Sequence, residues 1–313
     1  MMLLGVCQAV LPGRCIHDAA LRRDRQHFEK NFPNCLGALP FAHVALRTTI
    51  ETMADVPAAT GGPGRFVDGA ALGFSGFSGF RMSLDRPEDG VELPHTQVTL
   101  VFQFGDPVVV GQADHACGAR SVIVGLAEMP TPTRSSGTVD CIEVRLSPAS
   151  AFGILGGMTM TELADGPRDL SAVFGRATDR AVDRASGAVE WAVRFRIVDS
   201  LLRSRQTGRQ VAPEVLEAWS MLRASGGQAS VRELCVATGW SANRLRSRFE
   251  SQIGLTPKRA GRLIRFERAS SMLRNGTSPV ETAIGCGFAD QSHLHREVRA
   301  FADLTPSELA IHQ

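Results

Sequence analysis

The sequence has no apolar run of the roughly 18 residues that a membrane-spanning helix needs. Its mildly apolar start is cut short by Pro12 and Gly13, and it lacks the early basic residues of a secretory leader. No membrane segment is therefore expected, and the cytoplasm is the expected compartment. The seven cysteines (Cys7, Cys15, Cys35, Cys117, Cys141, Cys235 and Cys286) are odd in number and scattered, and no pair has C-x-x-C spacing. That argues against a zinc site and a disulfide framework, and for reduced thiols. No G-x-S-x-G elbow, H-E-x-x-H helix or G-x-G-x-x-G turn occurs, so no catalytic or cofactor residues are nominated. Lysine is nearly missing: Lys30 and Lys258 are the only two, and arginine carries the positive charge. The net charge of only +2 by itself says nothing about nucleic acid.

What is present is enough for two domains. The chain has 313 residues, 43% hydrophobic and 21% charged, which fits a buried core. Residues 1–72 show no clear periodicity, and 60–64 (TGGPG) reads as a linker. The small repeat at 73–80 (GFSGFSGF) has no lysine and reads as a turn or irregular edge strand rather than a phosphate loop. From 80 to 146 short β-branched runs follow one another, at 98–104, 108–110, 121–124 and 138–146. The texture changes at Ser147-Pro148, a cap followed by a first-turn proline. Trp191, Phe195, Val198 and Leu202 then form one apolar stripe on an expected helix over 185–204. Residues 204–212 are polar and read as a junction.

The last hundred residues contain a duplication. Ser230 with Glu233, and Ser278 with Glu281, are capping boxes 48 positions apart. Nine residues after each serine stands a glycine followed by an aromatic, Gly239-Trp240 and Gly287-Phe288. Glycine can end a helix in the left-handed conformation at little steric cost. Leu245 and Phe249 match Leu294 and Val298 at an offset of 49, so the second copy has one extra residue in its turn. Both copies close on Leu-Thr-Pro, at Leu255-Thr256-Pro257 and Leu304-Thr305-Pro306. Between them 257–273 reads as one long basic helix with Leu263, Phe266, Ala269 and Leu273 apolar. Residues 241–274 hold nine basic residues against two acids. Short helix, glycine turn and second helix is the helix-turn-helix arrangement.

On these residues, 208–313 resemble the double helix-turn-helix domain of AraC/XylS-type transcriptional regulators. The match rests on Gly239-Trp240-Ser241, Leu245, Phe249, Gly254-Leu255-Thr256-Pro257, the run 265–269 (RFERA) and the signature 287–294 (GFADQSHL). Two positions depart from the family pattern: Thr282 replaces an aliphatic residue, and Asp303 replaces glycine. The region 75–205 resembles a sensor-like domain attached to some of these regulators. Its matching pieces are Leu93-Pro94-His95, Gly105-Asp106-Pro107, the step 143–148 and the segment 162–165.

The expected fold is therefore an α+β N-terminal domain, a small β sandwich or barrel followed by helices, plus an all-α C-terminal domain. Its divisions are 1–72, poorly defined; 73–204, regulatory; and 208–313, DNA-binding, with helix-turn-helix units at 230–253 and 278–301. Taking Leu245 and Leu294 as core directions at roughly 100° per residue, Asn243 and Ser247 face away in the first unit, with Arg246 flanking. In the second, Ser292, Arg296 and Arg299 point outward with His295 flanking. With Arg244 and Gln291 these are the nominated DNA contacts. Trp240, Phe249, Phe266 and Phe288 are read as core. His293 and His295, two apart on a helix, point roughly 200° apart and cannot share a metal ion. His95 reads as a turn or surface histidine rather than an effector ligand. The resemblance implies promoter DNA, a small-molecule effector, RNA polymerase and a second copy of the chain as partners, at the nucleoid, with no cofactor. The competing reading is a repair-type enzyme carrying the same DNA-binding module.

Overall fold

The computed structural model describes residues 63–111 and 116–311, with two short strands before them. The strands are β1 (Ala45–Leu46), β2 (Val56–Pro57), β3 (Pro63–Asp68), β4 (Phe77–Ser83), β5 (Glu88–Glu92) and β6 (Val98–Gln103). They continue with β7 (Val108–Val110), β8 (Cys117–Ala119), β9 (Ser121–Val124), β10 (Thr131–Ser135), β11 (Thr138–Leu146) and β12 (Arg168–Asp169). Two sheets result, in the orders β1-β5-β10-β7-β8 and β12-β9-β6-β11-β4-β3-β2. Only β1 with β5 is a parallel pair among the described strands. In the larger sheet β11 is central, with Ile142 opposite Phe102 of β6 and Cys141 opposite Phe80 of β4.

Strand periodicity divides the labour of this sheet. Val98, Leu100 and Phe102 of β6, with Ile142 and Val144 of β11, are fully buried in the main hydrophobic core, which also takes in the helices. The alternate residues Thr99, Val101 and Gln103, with Val139, Cys141 and Glu143, line a cavity between the two sheets.

The helical layer comprises α1 (Pro148–Ile154), α2 (Met160–Ala164), α3 (Leu170–Phe174), α4 (Ala177–Ser186) and α5 (Trp191–Ser204). Ser147 caps α1, its hydroxyl oxygen accepting from the Ser150 N–H at 3.1 Å. The stripe Trp191, Phe195, Val198 and Leu202 is buried. Its helix starts at Trp191, six residues later than the apolar spacing implied, because α4 ends at Ser186 and Gly187 breaks the chain there.

Other expectations change. β3 and the 3-10 turn Ala70–Leu72 precede residue 73 and join the sheet through β4, so folded structure begins inside the segment that showed no periodicity. The first half of the glycine-phenylalanine repeat, 73–76, is a turn, as read, but its second half is no irregular edge: β4 lies between β3 and β11. Gly79 there is steric. A Cβ on Gly79 would stand 2.5 Å from the Trp191 ring, so only bare backbone lets that indole pack on the sheet. Residues 60–62 of the linker-like stretch lie outside the described residues.

The polar junction after α5 is pinned rather than loose. Val211 is buried, the Arg209 guanidinium lies 4.1 Å from the Phe152 ring centre, and the Ala212 N–H donates to Gln252 Oε1 at 2.8 Å. One contiguous core runs from Phe77 to Leu309, through both halves of the chain.

A buried ion pair ties sheet to helices. Asp140 of β11 accepts from Arg194 of α5 at 2.7 Å and from Arg81 of β4 at 2.7 Å. Arg194, 3% exposed, also donates to the Ala188 carbonyl and lies 5.0 Å from the ring centres of both Phe104 and Trp191. Removing one partner strands a charge in low dielectric. Asp140→Ala should therefore cost about 3–5 kcal/mol, read as a lowered urea midpoint. A loss below about 1 kcal/mol would mean that the carbonyl and ring faces alone satisfy Arg194.

Candidate nucleic-acid interface

The C-terminal half adds α6 (Pro213–Ala224), α7 (Val231–Thr238), α8 (Ala242–Ile253), α9 (Pro257–Arg274), α10 (Pro279–Gly285), α11 (Gln291–Ala302) and α12 (Pro306–Ile311). Both capping boxes form. The Ser230 and Ser278 hydroxyls accept from the N–H groups of Glu233 and Glu281 at 3.2 and 3.3 Å. The glutamates return the bond, accepting from the serine N–H groups at 2.7 and 3.2 Å. Gly239 and Gly287 end or follow the first helices at φ +66° and +72°. The second helix is then capped by Ser241, two residues on, in one unit and by Asp290, three residues on, in the other. That is the extra residue read from the offset.

Leu245, Phe249, Leu294 and Val298 are fully buried, fixing the inner faces of α8 and α11. Both helices pack against α9, where Phe266 stacks on Phe301 with ring centres 4.8 Å apart. The outer faces follow by helical geometry. Asn243, Arg244, Arg246 and Ser247 on α8, and Gln291, Ser292, His295 and Arg296 on α11, are all exposed. Arg299 is different. It is drawn to the helix C-terminus, where its Nη1 donates to the Asp303 carbonyl at 3.0 Å, and Glu308 lies 3.8 Å away.

Trp240 is only partly buried, unlike Phe288, and its outer ring face carries the Arg244 guanidinium at 4.4 Å. It thus positions a nominated DNA contact as well as filling the helix angle. His293 sets its ring edge-on to Phe288 at 5.3 Å and accepts from the Ala289 N–H, while His295 is exposed.

Much of the late basic charge is used inside the protein. Glu128, in the loop after β9, accepts from Arg259 at 2.5 Å and Arg262 at 3.4 Å, both on α9. Arg262 also binds Glu297 of α11 at 3.0 Å. Arg265 donates to the Gly227 carbonyl at 2.5 Å, and burial pushes its pKa down. Thr96, before β6, donates to Glu267 of α9 at 2.7 Å and accepts from Arg223 of α6 at 2.7 Å. Thr161 of α2 donates to the Glu250 carbonyl of α8 at 3.0 Å. Sequence reasoning missed α6 and every one of these bridges. His95, read as a surface residue, instead stands in the cavity wall at 12% side-chain exposure, because its ring bonds inward to Thr99 at 3.2 Å. Cys7, Cys15 and Cys35, whose spacing counts against the enzyme alternative, lie outside the described residues.

The capping glutamates Glu233 and Glu281 are held below the ordinary carboxylate range by their hydrogen bonds from the Ser230 and Ser278 main-chain and side-chain groups. Depressed folded-state values mean that their stabilisation is present at neutral pH and lost as pH falls through those values. Glu281→Gln should therefore be less stable than the parent at pH 7, with the deficit shrinking in acid below the usual glutamate range. A deficit independent of pH would assign the loss to packing. The first departure, Thr282, occupies the place of the fully buried Leu234 in the first unit, and its Oγ1 is buried with no hydrogen-bond partner. Thr282→Val keeps the shape and removes the orphan, so it should stabilise by about 1 kcal/mol, a thermal midpoint higher by roughly 2–4 °C. An unchanged or lowered midpoint would show that the hydroxyl is satisfied.

Comparison with known proteins agrees with this geometry. The model of a helix-turn-helix domain family matches residues 234–310. An HTH-type transcriptional regulator of Bacillus subtilis, YbfI, is 37% identical over 65 residues, 21% of this chain and 24% of that protein. The chain thus spans about a quarter of that relative's length. Among solved structures, ToxT of Vibrio cholerae is 12% identical, overlapping 76% of this chain and 98% of its own at a TM-score of 0.45. A regulator of Chromobacterium violaceum with an AraC-type DNA-binding domain is 26% identical over 32% of this chain and 90% of its own, at a TM-score of 0.30. Among the described residues no helix is long and apolar enough to cross a membrane. Residues 234–310 of this chain thus belong to a helix-turn-helix domain.

Proposed function

We propose that this protein is a sequence-specific transcriptional regulator that lays α8 and α11 in successive major-groove segments on one face of a duplex. The observation carrying this is the matched exposed faces of the two helices, each locked from behind by fully buried residues against the same helix, α9. Asn243, Arg246 and Ser247 would read one segment and Ser292, His295 and Arg296 the other, with Arg244 and Gln291 beside them. Arginine pairs with guanine O6 and N7 together, and asparagine with adenine N6 and N7. Arg299 is better placed to hold the end of α11 than to reach a base.

The N-terminal sandwich is the regulatory half in this reading. Its support is a set of contacts from residues next to the cavity wall to the DNA-binding helices. Thr96, one residue beyond His95, bonds Glu267 of α9. Glu128 reaches α11 through Arg262 and Glu297. A ligand or partner that moved this wall would change how α9 is held. Bound at a promoter, the protein would work beside RNA polymerase. We assign it no catalytic residues.

Arg296 should be the most specific contact of the second unit. Arg296→Ala should weaken binding to the cognate site by roughly 10- to 100-fold and flatten base preference at one position, with little change on scrambled DNA. Equal losses on both DNAs would make Arg296 a phosphate clamp. Footprinting of the parent protein should show two protected segments about 10 base pairs apart. A single short segment per monomer would overturn the two-helix reading.

A further inference from the structure

The cavity between the sheets, of about 290 Å³, has an unusual polar inventory for its size. It lies at the small end of ligand sites, which run to roughly 300–1,000 Å³. Most of its wall is apolar, with Val101, Val108, Val110, Val124 and Val139 contributed by four strands. Among the described residues its charged lining side chains are the acids Glu88, Asp89, Glu92 and Glu143, with no lysine or arginine.

Two groups stand out. Gln103 is 2% exposed, its side chain lies on the cavity face of β6, and its Oε1 has no hydrogen-bond partner. Glu143 lies on the same face of β11, one diagonal step away, since Cys141 is the residue opposite Gln103. Glu143 and Glu92 share one guanidinium: Arg145 Nε is 2.5 Å from Glu143 and its Nη2 is 3.1 Å from Glu92. The nearby histidine adds no free donor. Its Nδ1 accepts from the Gln97 N–H at 3.2 Å, so the neutral ring carries its hydrogen on Nε2. That atom faces Thr99 Oγ1 at 3.2 Å and Glu92 at 3.4 Å. The cavity therefore offers acceptors and negative charge at one side and methyl groups over the rest.

We propose that this cavity binds a small amphiphilic cation, a molecule with a protonated amine head and a short apolar body. The head is held between Gln103 Oε1 and the Glu143 carboxylate, and the body lies on the valines. A carboxylate ligand would meet the like charge of Glu143 and Glu92. A polyol would satisfy Gln103 but leave most of its hydroxyls against valine. The inference rests on the reading that the sandwich holds an effector, and it names that effector's chemistry.

The test is thermal unfolding and calorimetric titration of the full-length protein with matched probes at millimolar concentration. The probes are hexylamine, hexanol and hexanoate; benzylamine, benzyl alcohol and benzoate; and inositol. The amines should raise the midpoint saturably, while the acids and inositol should leave it unchanged. Glu143→Gln and Gln103→Leu should each weaken amine binding at least roughly tenfold, the loss expected for one charge-assisted hydrogen bond. Gln103→Leu should also raise the unliganded midpoint, because it removes a buried orphan acceptor. Stabilisation by the acids, alcohols or inositol in preference to the amines would overturn the cation assignment and leave an effector cavity in place. No stabilisation by any probe would sink both. Amine binding unaltered in Gln103→Leu would place the ligand outside the cavity.

Discussion

Both halves of this protein depend on how α9 is buried. Nine of its residues, from Pro257 to Leu273, are out of solvent, and they are spread around the helix rather than gathered on one stripe. A helix surrounded in this way cannot shift without disturbing several neighbours at once, because close-packed interiors transmit displacement rather than absorb it. The two helix-turn-helix units hang from it, α6 runs along it, and the sandwich grips its polar edges through Glu128 and Thr96. Gly261 marks how close the approach is: a Cβ there would stand 2.9 Å from the Gly227 carbonyl oxygen. The late arginines therefore divide between two jobs. On α9, those that meet Glu128, Glu297 and the Gly227 carbonyl hold the assembly, while α8 and α11 carry exposed arginines such as Arg246 and Arg296.

The same economy governs the larger sheet. In β6 and β11 a period of two puts Val98, Leu100, Phe102, Ile142 and Val144 into the helical core. It turns Thr99, Gln103 and Glu143 to the opposite side. Register matters here more than composition. A slip by one residue would push Gln103 and Glu143 into the apolar layer and empty the cavity of polar groups.

The parts of the structure that could be read in advance are local. Capping boxes, proline at the first helical turn and glycine followed by an aromatic each act within about one turn of chain, so adjacent letters announce them. The repeat doubled that signal, and the different turn lengths at Ser241 and Asp290 followed from an offset alone. What stayed hidden is long-range. Thr96 and Glu267 are 171 positions apart, and Glu128 and Arg259 are 131 apart, with no periodicity to link them. Gly79 looked like part of a loose loop because glycine weakens a strand. Its purpose shows only once Trp191 is laid against it. His95 was misplaced for a related reason: a histidine after Leu-Pro reads as turn, and only the fold sets its ring beside Glu92 and Thr99.

The additional residue between Gly287 and Asp290 has a consequence for the DNA. Two identical half-units related by a twofold axis would read a palindrome, and such a site looks the same from either end. In the proposed reading the two helices lie in one chain, follow turns of different length and expose different letters, Asn243-Arg246-Ser247 on one and Ser292-His295-Arg296 on the other. A duplex recognised in that way would have a left and a right. The bound protein would then point along the DNA like an arrow, and reversing the site would turn the same surface the other way.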